Sequence, residues 1–193
     1  TEIWREYIAS DAWGASFLGA EPQRFPFVRR IGPLALIGLN SAFPTRPFVA
    51  AGRVGRDQLA ALQDCLLRLK SENLTRVVLI HHPPLPGQTA PRRALEDAEQ
   101  LAAMLSECGA ELVLHGHNHR DSLVWLPSNE GSIPIVGVAS GSATRTHGLE
   151  PLGRYNLFRF STDGIEMHVR GLGSAAGGVV DIARFALQPD AQP

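Results

Sequence analysis

Histidines gather at two places in this sequence, and their grouping points to metal chemistry. His81 and His82 are adjacent, and His115, His117 and His119 alternate further along, so five of the seven histidines lie in two short segments. Neutral imidazole is the commonest nitrogen ligand for zinc, manganese, iron and similar ions. A metal site needs several convergent donors, and the two clusters together supply them.

Each cluster follows a short apolar run that predicts a buried β-strand. The two runs are residues 77–80 and 112–114,. Ligands of open α/β sheets bind at the carboxyl ends of the strands, so both clusters stand where sites are normally built. Gly116 can turn the backbone sharply without a Cβ penalty, which would let His117 and His119 aim at one place.

The two histidine motifs resemble the last two signatures of the calcineurin-like metallophosphoesterase family. They are His-His-Pro-Pro at 81–84 and Gly-His-Asn-His at 116–119. The resemblance implies a two-metal centre in which His81 and His117 bind one ion and His119 binds the other. It also implies that the complete enzyme uses two divalent or trivalent transition-metal ions, namely manganese, iron or zinc. The resemblance extends over about residues 4–169, and the similar flanking stretches are 25–28, 36–41 and 52–55.

The first three signatures of that family do not occur in the sequence. Asp-x-His, Gly-Asp-x-x-Asp and Gly-Asn-His-Asp/Glu, which supply the bridging aspartate, an asparagine ligand and the general-acid histidine, are absent from the 193 residues. We therefore expect the chain to be the carboxyl-terminal portion of a longer protein. Each ion would be short of ligands, so no catalytic residue is assigned and the chain alone is expected to be inactive or weakly active.

The resemblance implies hydrolysis of a small phosphate ester. Two cations close together lower the pKa of a bridging water, polarise the phosphoryl oxygens and stabilise the leaving oxygen. The expected substrate is a phosphodiester or a phosphomonoester, with the diester favoured by similarity to compact bacterial phosphodiesterases. Its pocket would be shaped by loops 43–55, 83–92 and 140–152.

Two other functions compete with this one. The spacing of His115, His117 and His119, followed by Asp121, superficially resembles the His-x-His-x-Asp-His cluster of metallo-β-lactamase-type hydrolases. The order argues against that family, because its motif places Asp and then His after the second histidine. The other alternative is a non-catalytic module, a truncated phosphoesterase fold kept for protein contact.

Composition narrows the class of protein and its partners. A formal charge of −1 argues against binding a nucleic-acid duplex, which needs clustered basic residues,. No apolar run approaches the roughly 20 residues that span a bilayer, so no membrane association is expected. Cys65 and Cys108 fall on the apolar faces of predicted helices, which favours a reduced, cytoplasmic protein,. A homo-oligomer is possible.

The periodicity of apolar residues predicts alternating strands and helices, then strands alone. Leucines at three- and four-residue intervals predict a helix over 57–70, and a second apolar stripe predicts another over about 93–108,. This order favours parallel neighbouring strands. Thr162, Asp163 and Gly164 predict a hairpin turn. The predicted strands are 34–39, 77–80, 112–114, 122–126, 133–139, 155–160 and 165–169.

The predicted fold class is α/β. The resemblance implies a layered β-sandwich flanked by helices, the αββα arrangement of metallophosphoesterases, incomplete at the amino end. Residues 1–170 are expected to be the carboxyl-terminal part of a single domain. Residues 171–193, rich in Gly and Ala, are expected to form a loosely ordered tail,.

The remaining polar residues are assigned supporting or surface roles. His82 and His115 each stand next to a predicted ligand or its glycine, so alternation predicts that they point away and support the site or pack. His147 and His168 are assigned to solvation or packing, and Asp121 to the surface or to support of the ligands. Arg92 and Arg93 are predicted to meet solvent rather than phosphate.

Overall fold

The structure is a computed structural model that describes residues 7–19, 24–174 and 177–188. Within these residues it contains two β-sheets and three α-helices. In chain order the elements are α1 (Ala12–Leu18), β1 (Phe27–Ile31), β2 (Leu34–Gly38), α2 (Arg56–Ser71), β3 (Thr75–Leu79), α3 (Ala98–Cys108), β4 (Leu112–His115), β5 (Ser122–Ser128), β6 (Gly131–Gly137), β7 (Arg154–Ser161), β8 (Gly164–Leu172) and β9 (Val179–Ala186).

The larger sheet has six strands in the order β1-β2-β3-β4-β6-β5. Its centre is parallel, because β2 pairs with β3, β3 with β4 and β4 with β6 in the same direction. The outer strands β1 and β5 run antiparallel to their neighbours. The βαβ order predicted parallel pairing of β2, β3 and β4, and this prediction is confirmed. The carboxyl ends of β3 and β4 therefore lie side by side.

The smaller sheet is antiparallel, in the order β7-β8-β9. Ser161 pairs with Gly164, so a two-residue loop joins β7 to β8, as the hairpin prediction required. The expectation of a loosely ordered tail from residue 171 differs from the structure, in which β8 runs to Leu172 and β9 pairs along it. Val179, Val180 and Ile182 give β9 the branched side chains that favour a strand. The part of the expected tail beyond residue 188 lies outside the described residues.

Two apolar clusters divide the molecule into layers. One face of the six-stranded sheet, with Ile37, Val78 and Val113, packs against the buried faces of α2 and α3. The other face packs against Met167 and Val169 of the three-stranded sheet. The order is therefore helices, six-stranded sheet and three-stranded sheet. The outer face of the three-stranded sheet carries no helix among the described residues, so the second helical layer stays a prediction.

The first long helix was predicted well and the second was predicted too long. In α2 the buried residues are Leu62, Cys65, Leu66 and Leu69, on the stripe that the leucine spacing indicated. The second helix was predicted from residue 93, but α3 begins at Ala98.

Tertiary contacts explain the late start of α3. Glu96 donates its backbone N–H to the carbonyl oxygen of Gly52 at 2.8 Å, which keeps this stretch out of the α-helix. The carboxylate of Asp97 accepts the backbone N–H groups of Val54 and Gly55 at 2.7–3.1 Å. These contacts to the loop before α2 compete with helix formation. No helix in the part of the chain that the structure describes is long and apolar enough to cross a bilayer.

Candidate metal centre

The two histidine clusters meet because their strands are parallel neighbours. β3 ends two residues before His81, and β4 ends two residues before His117. A backbone hydrogen bond of 3.1 Å from the N–H of Gly116 to the carbonyl oxygen of His81 joins the two loops directly. The carboxyl edge of the sheet thus brings together side chains that are 36 positions apart in the sequence.

His81 and His117 approach each other closely enough to share an ion. Nε2 of His81 lies 3.1 Å from Nδ1 of His117. Two imidazole nitrogens on one tetrahedral zinc ion, each about 2.0–2.1 Å from it, lie roughly 3.3 Å apart. Nε2 of His117 is buried and has no hydrogen-bond partner in the described part of the chain. The spacing of Nε2 of His81 and Nδ1 of His117 therefore fits a nitrogen-ligated transition metal.

His82 is close to this pair, and its own nitrogens are already engaged. Donor atoms of His81, His82 and His117 lie within 4.8 Å of one another. Nε2 of His82 lies 3.1 Å from the carbonyl oxygen of Ala50, which can only accept, so this nitrogen carries the proton,. Nδ1 lies 2.8 Å from Oγ of Ser41 and accepts from that hydroxyl.

Packing agrees with a supporting role for His82. Its ring centroid lies 4.3 Å from that of His117. A Cβ at Gly52 would come within 2.3 Å of Nδ1 of His82, so the backbone at Gly52 fits directly against the ring. The prediction that His82 points away from the ligands differs from this geometry. His82 packs on the ring of His117 and holds it in place. Direct binding of a metal ion by His82 would require breaking one of the two hydrogen bonds of His82.

His119 lies outside the three-histidine group. Its Nδ1 is 3.4 Å from a carboxylate oxygen of Glu150, and 52% of its side chain is exposed. His119 is nevertheless near enough to His81 for its charge to act on that imidazole. The structure therefore brings together two of the three predicted ligands and places the third beside them.

The backbone turn is made by the histidines themselves. His117 and His119 have φ angles of 66° and 52°, in the left-handed region that side chains with a Cβ adopt at a cost,. The prediction that Gly116 makes this turn is wrong, because Gly116 does not have a positive φ. Strained residues of this kind cluster at functional sites, where the surrounding structure holds them.

Burial keeps the imidazoles neutral. It lowers the pKa of His117 to about 4, and the nearby charges of His82, His81 and Arg93 add to the effect. Burial is also the main cause that lowers the pKa of His81 and of His82. Because a metal ion binds the neutral imidazole, these groups are in the binding form near neutral pH.

Two further predicted residues lie near the site. His115 is not in the three-histidine group, and its ring rests against Gly137, where a Cβ would come within 2.7 Å of the ring. Asp121 pairs with Arg154 and accepts the backbone N–H of Ala139 at 3.3 Å, so it supports the loop after the cluster.

The loop after β3 reaches across to the second cluster. Arg93 donates from Nη2 to the carbonyl oxygen of His117 at 2.9 Å, which differs from the prediction that it meets only solvent. Nδ2 of Asn118 donates to the carbonyl oxygen of Gln88 at 2.9 Å. The sequence did not predict that Ser41 and Ala50 contact His82, or that Glu150 contacts His119. Ser41 follows the end of β2, and its place at the same sheet edge is a signal that could have indicated it.

An open groove of about 610 Å³ begins beside the candidate centre. His81 and His115 stand at its edge, and its walls are mainly apolar, including Phe25, Phe27 and Leu39. Apolar walls next to a few polar groups are typical of ligand sites.

No protein-family model matches this chain, and no curated protein matches it. The assignment of a function therefore depends on the geometry of the site and on the motifs.

Proposed function

We propose that this chain is part of a metal-dependent phosphoesterase of the calcineurin-like kind, with the αββα layering of that family. The observation that carries the proposal is the 3.1 Å separation of Nε2 of His81 and Nδ1 of His117 at the carboxyl ends of two parallel strands. The order of the two motifs and their place at the sheet edge support it. The proposed reaction is hydrolysis of a phosphodiester or a phosphomonoester.

The chain's own residues have distinct parts in this proposal. His81 and His117 would hold one ion and His119 would contribute to the second, with manganese, iron or zinc as the candidate metals. When bound, such ions supply a water of lowered pKa and neutralise charge on the phosphoryl oxygens. His82, held between Ser41 and Ala50, fixes the ring of His117. His81, His117 and His119 alone would not complete the coordination of two ions.

Metal binding is the first test. Cobalt(II) is titrated into the metal-stripped protein while its visible absorption is followed, because cobalt reports coordination that zinc leaves silent. We expect one ion to bind through His81 and His117. His117→Ala should weaken binding by more than the roughly 10- to 100-fold typical of losing an outer partner. His168→Ala is the matched control, since this histidine lies in β8 of the three-stranded sheet, beside Glu166, and should leave the affinity unchanged.

Catalysis is tested separately. Bis(p-nitrophenyl) phosphate and p-nitrophenyl phosphate are offered to the manganese- or zinc-loaded protein, and the rate is compared with that of His117→Ala. We expect weak hydrolysis that disappears in the variant. Normal phosphodiester hydrolysis by His117→Ala would show that the site is wrongly assigned. Tight metal binding without any turnover, also in the longest natural form of the protein, would favour a non-catalytic module.

The metallo-β-lactamase alternative gains no support from the geometry. That arrangement would need His115 beside His117 and His119, but the ring of His115 faces Gly137 instead.

The cellular compartment is a further part of the proposal. Cys65 and Cys108 are buried free thiols, which supports a reducing, cytoplasmic environment,.

A further inference from the structure

We propose that Arg93 is a positioning residue for His117, holding it by its main-chain oxygen in the conformation that faces His81. This inference rests on the metal-binding part of the proposed function. The hydrogen bond from Nη2 of Arg93 to the carbonyl oxygen of His117 is 2.9 Å long and partly buried. It fixes the backbone of His117 rather than its ring.

The backbone of His117 needs such an anchor. Its φ of 66° is in the left-handed region, which a residue with a side chain leaves readily unless its surroundings hold it there,. Rotating this backbone would swing Nδ1 of His117 away from Nε2 of His81. The guanidinium is a planar fork of fixed geometry, so it holds a carbonyl oxygen more rigidly than a lysine would.

Arg93 can act as an anchor because its own backbone is fixed. It ends a single 3₁₀ turn, Pro91–Arg93. On either side, the carbonyl oxygens of Arg92 and Ala94 accept backbone N–H groups of residues 50 and 52, each at 3.0 Å. The segment 50–52 thus holds the turn that carries Arg93 from both sides.

The same segment also holds His82. The carbonyl oxygen of Ala50 accepts from Nε2 of His82, while the N–H of Ala50 donates to the carbonyl oxygen of Arg92. His82 packs against the ring of His117, and Arg93 binds its backbone. Ring and backbone of His117 are therefore positioned from one segment. Asn118, bonded to the carbonyl oxygen of Gln88, gives the turn a second attachment to the same loop.

Arg92 provides a matched control. It is adjacent to Arg93, in the same 3₁₀ turn, and its side chain is exposed. Replacing it by methionine removes the same charge from the same loop without touching His117. Any effect of charge alone should therefore appear in Arg92→Met as well.

The experiment compares Arg93→Met, Arg93→Lys and Arg92→Met with the unmodified protein by cobalt(II) titration. We expect Arg93→Met to weaken binding by about 10- to 100-fold and to change the visible cobalt spectrum, because the ligand is displaced. Arg93→Lys should recover part of the affinity, since a lysine supplies one donor. Arg92→Met should bind cobalt as the unmodified protein does. The thermal unfolding temperature shows whether each variant is folded.

A second readout needs no metal. The imidazole resonances of His117 in ¹⁵N–¹H spectra should shift in Arg93→Met, while those of His168, in the three-stranded sheet, should not. If no form of the protein binds cobalt and the His117 signals still shift, the proposed function fails and the positioning role stands. If Arg93→Met binds cobalt with unchanged affinity and spectrum, the positioning role is overturned while the metal site stands. Should Arg93→Met fail to fold, unchanged binding by Arg93→Lys would overturn the inference.

Discussion

The polar clusters at the two ends of strand β3 differ in whether their buried polar atoms have hydrogen-bond partners. At the amino end of β3, Arg76 is only 2% exposed. Its side chain donates hydrogen bonds to carboxylate and carbonyl oxygens. It donates to both carboxylate oxygens of Glu111 and to Glu130, at 2.7–3.1 Å. Its remaining partners are the carbonyl oxygens of Cys108, at 3.0 Å, and Leu66, at 3.4 Å.

Beside the carboxyl end of the same strand, some buried polar atoms lack hydrogen-bond partners. Nε2 of His117 and Nε2 of His115 are buried without a partner in the region that the structure describes. His117 also has a strained backbone. A buried polar atom without a partner costs about 1–3 kcal/mol, which a fold tolerates where the group has another use.

The difference separates a stabilising cluster from a candidate site. Burial opposes the charge of Arg76, yet its bonds to Glu111 and Glu130 outweigh that effect and raise its pKa. Burial lowers the pKa of His117 to about 4, and no carboxylate among the described residues counteracts it. One cluster therefore keeps its charge and stabilises the fold. The other keeps its imidazoles neutral, which is the form that a metal ion binds,.

The largest effect is expected at the amino end of β3. Arg76→Met leaves Glu111 and Glu130 without their buried partner, so it should lower the free energy of unfolding by about 3–5 kcal/mol. Urea unfolding at pH 7 measures this change. Cobalt(II) binding by the folded fraction should remain, because Arg76 lies at the far end of the strand from His81.

Lys70→Met is the control for this variant. Lys70 binds the same Glu130, but 57% of its side chain is exposed. Its loss should cost less than about 1 kcal/mol. A change of similar size in both variants would mean that burial of Arg76 does not set the energy of the cluster.

A smaller effect, with a defined pH dependence, is expected for Glu130→Gln. Burial favours the neutral carboxyl, but the bonds from Lys70 and Arg76 outweigh this and hold the pKa of Glu130 below its ordinary value of 4.5. The stabilisation from Glu130 is therefore fully present above about pH 4.5 and is lost as the pH falls through the lower pKa of the folded state. Glu130→Gln should cost about 1–2 kcal/mol at pH 7.

Urea unfolding at pH 7, 5 and 3 follows this prediction. The difference between Glu130→Gln and the unmodified protein should shrink as the pH falls, because a protonated glutamate resembles glutamine. Glu107→Gln, at an exposed position, serves as the control and should differ little at any pH. A constant gap across the three pH values would contradict the assigned role of the Glu130 charge.

The smallest effect on stability is expected at the carboxyl end of β3. His117→Gly removes a buried unpartnered nitrogen and allows the positive φ without a side chain, which offsets the lost packing and the greater freedom of the unfolded chain,. The free energy of unfolding should change by less than about 1 kcal/mol, while cobalt(II) binding is lost.

His117→Ala sharpens this test, since alanine removes the ring and keeps the strain. The glycine variant should be more stable than the alanine variant by about 1 kcal/mol, measured by urea unfolding without metal. An alanine variant as stable as the glycine variant would mean that the backbone of His117 is not strained.

Much of the fold could be predicted from local pattern. The leucine spacing of α2 required burial of one face of the helix, and the apolar runs of β3 and β4 required burial of both faces of the strands,. Few arrangements bury all these apolar residues. The errors lie where tertiary contacts outweigh pattern. The stretch before α3 has a helical pattern, but its hydrogen bonds to residues 52–55 keep it out of the α-helix. α1 and β1 were not predicted, because they are short. β9 was not predicted either, and its place in the structure depends on pairing with β8.

The candidate site was predicted in part. That His81 and His117 converge follows from parallel strands whose carboxyl ends share an edge. The sequence has no pattern for the contacts of His82 with Ser41 and Ala50, which join three loops. Nor does it indicate that Arg93 reaches the backbone of His117 while Arg92 faces solvent, since the two arginines are adjacent and chemically identical.

The sequence by itself determined which residues are available for metal chemistry and which sheet edge they occupy, because strand burial and the βαβ order depend on local apolar pattern. Only the tertiary structure decided how each imidazole is used. Hydrogen bonds from distant loops engage both nitrogens of His82 and hold His117 in a left-handed turn, in which its Nδ1 faces Nε2 of His81. These are long-range contacts, and they form only after the strands have brought the loops together.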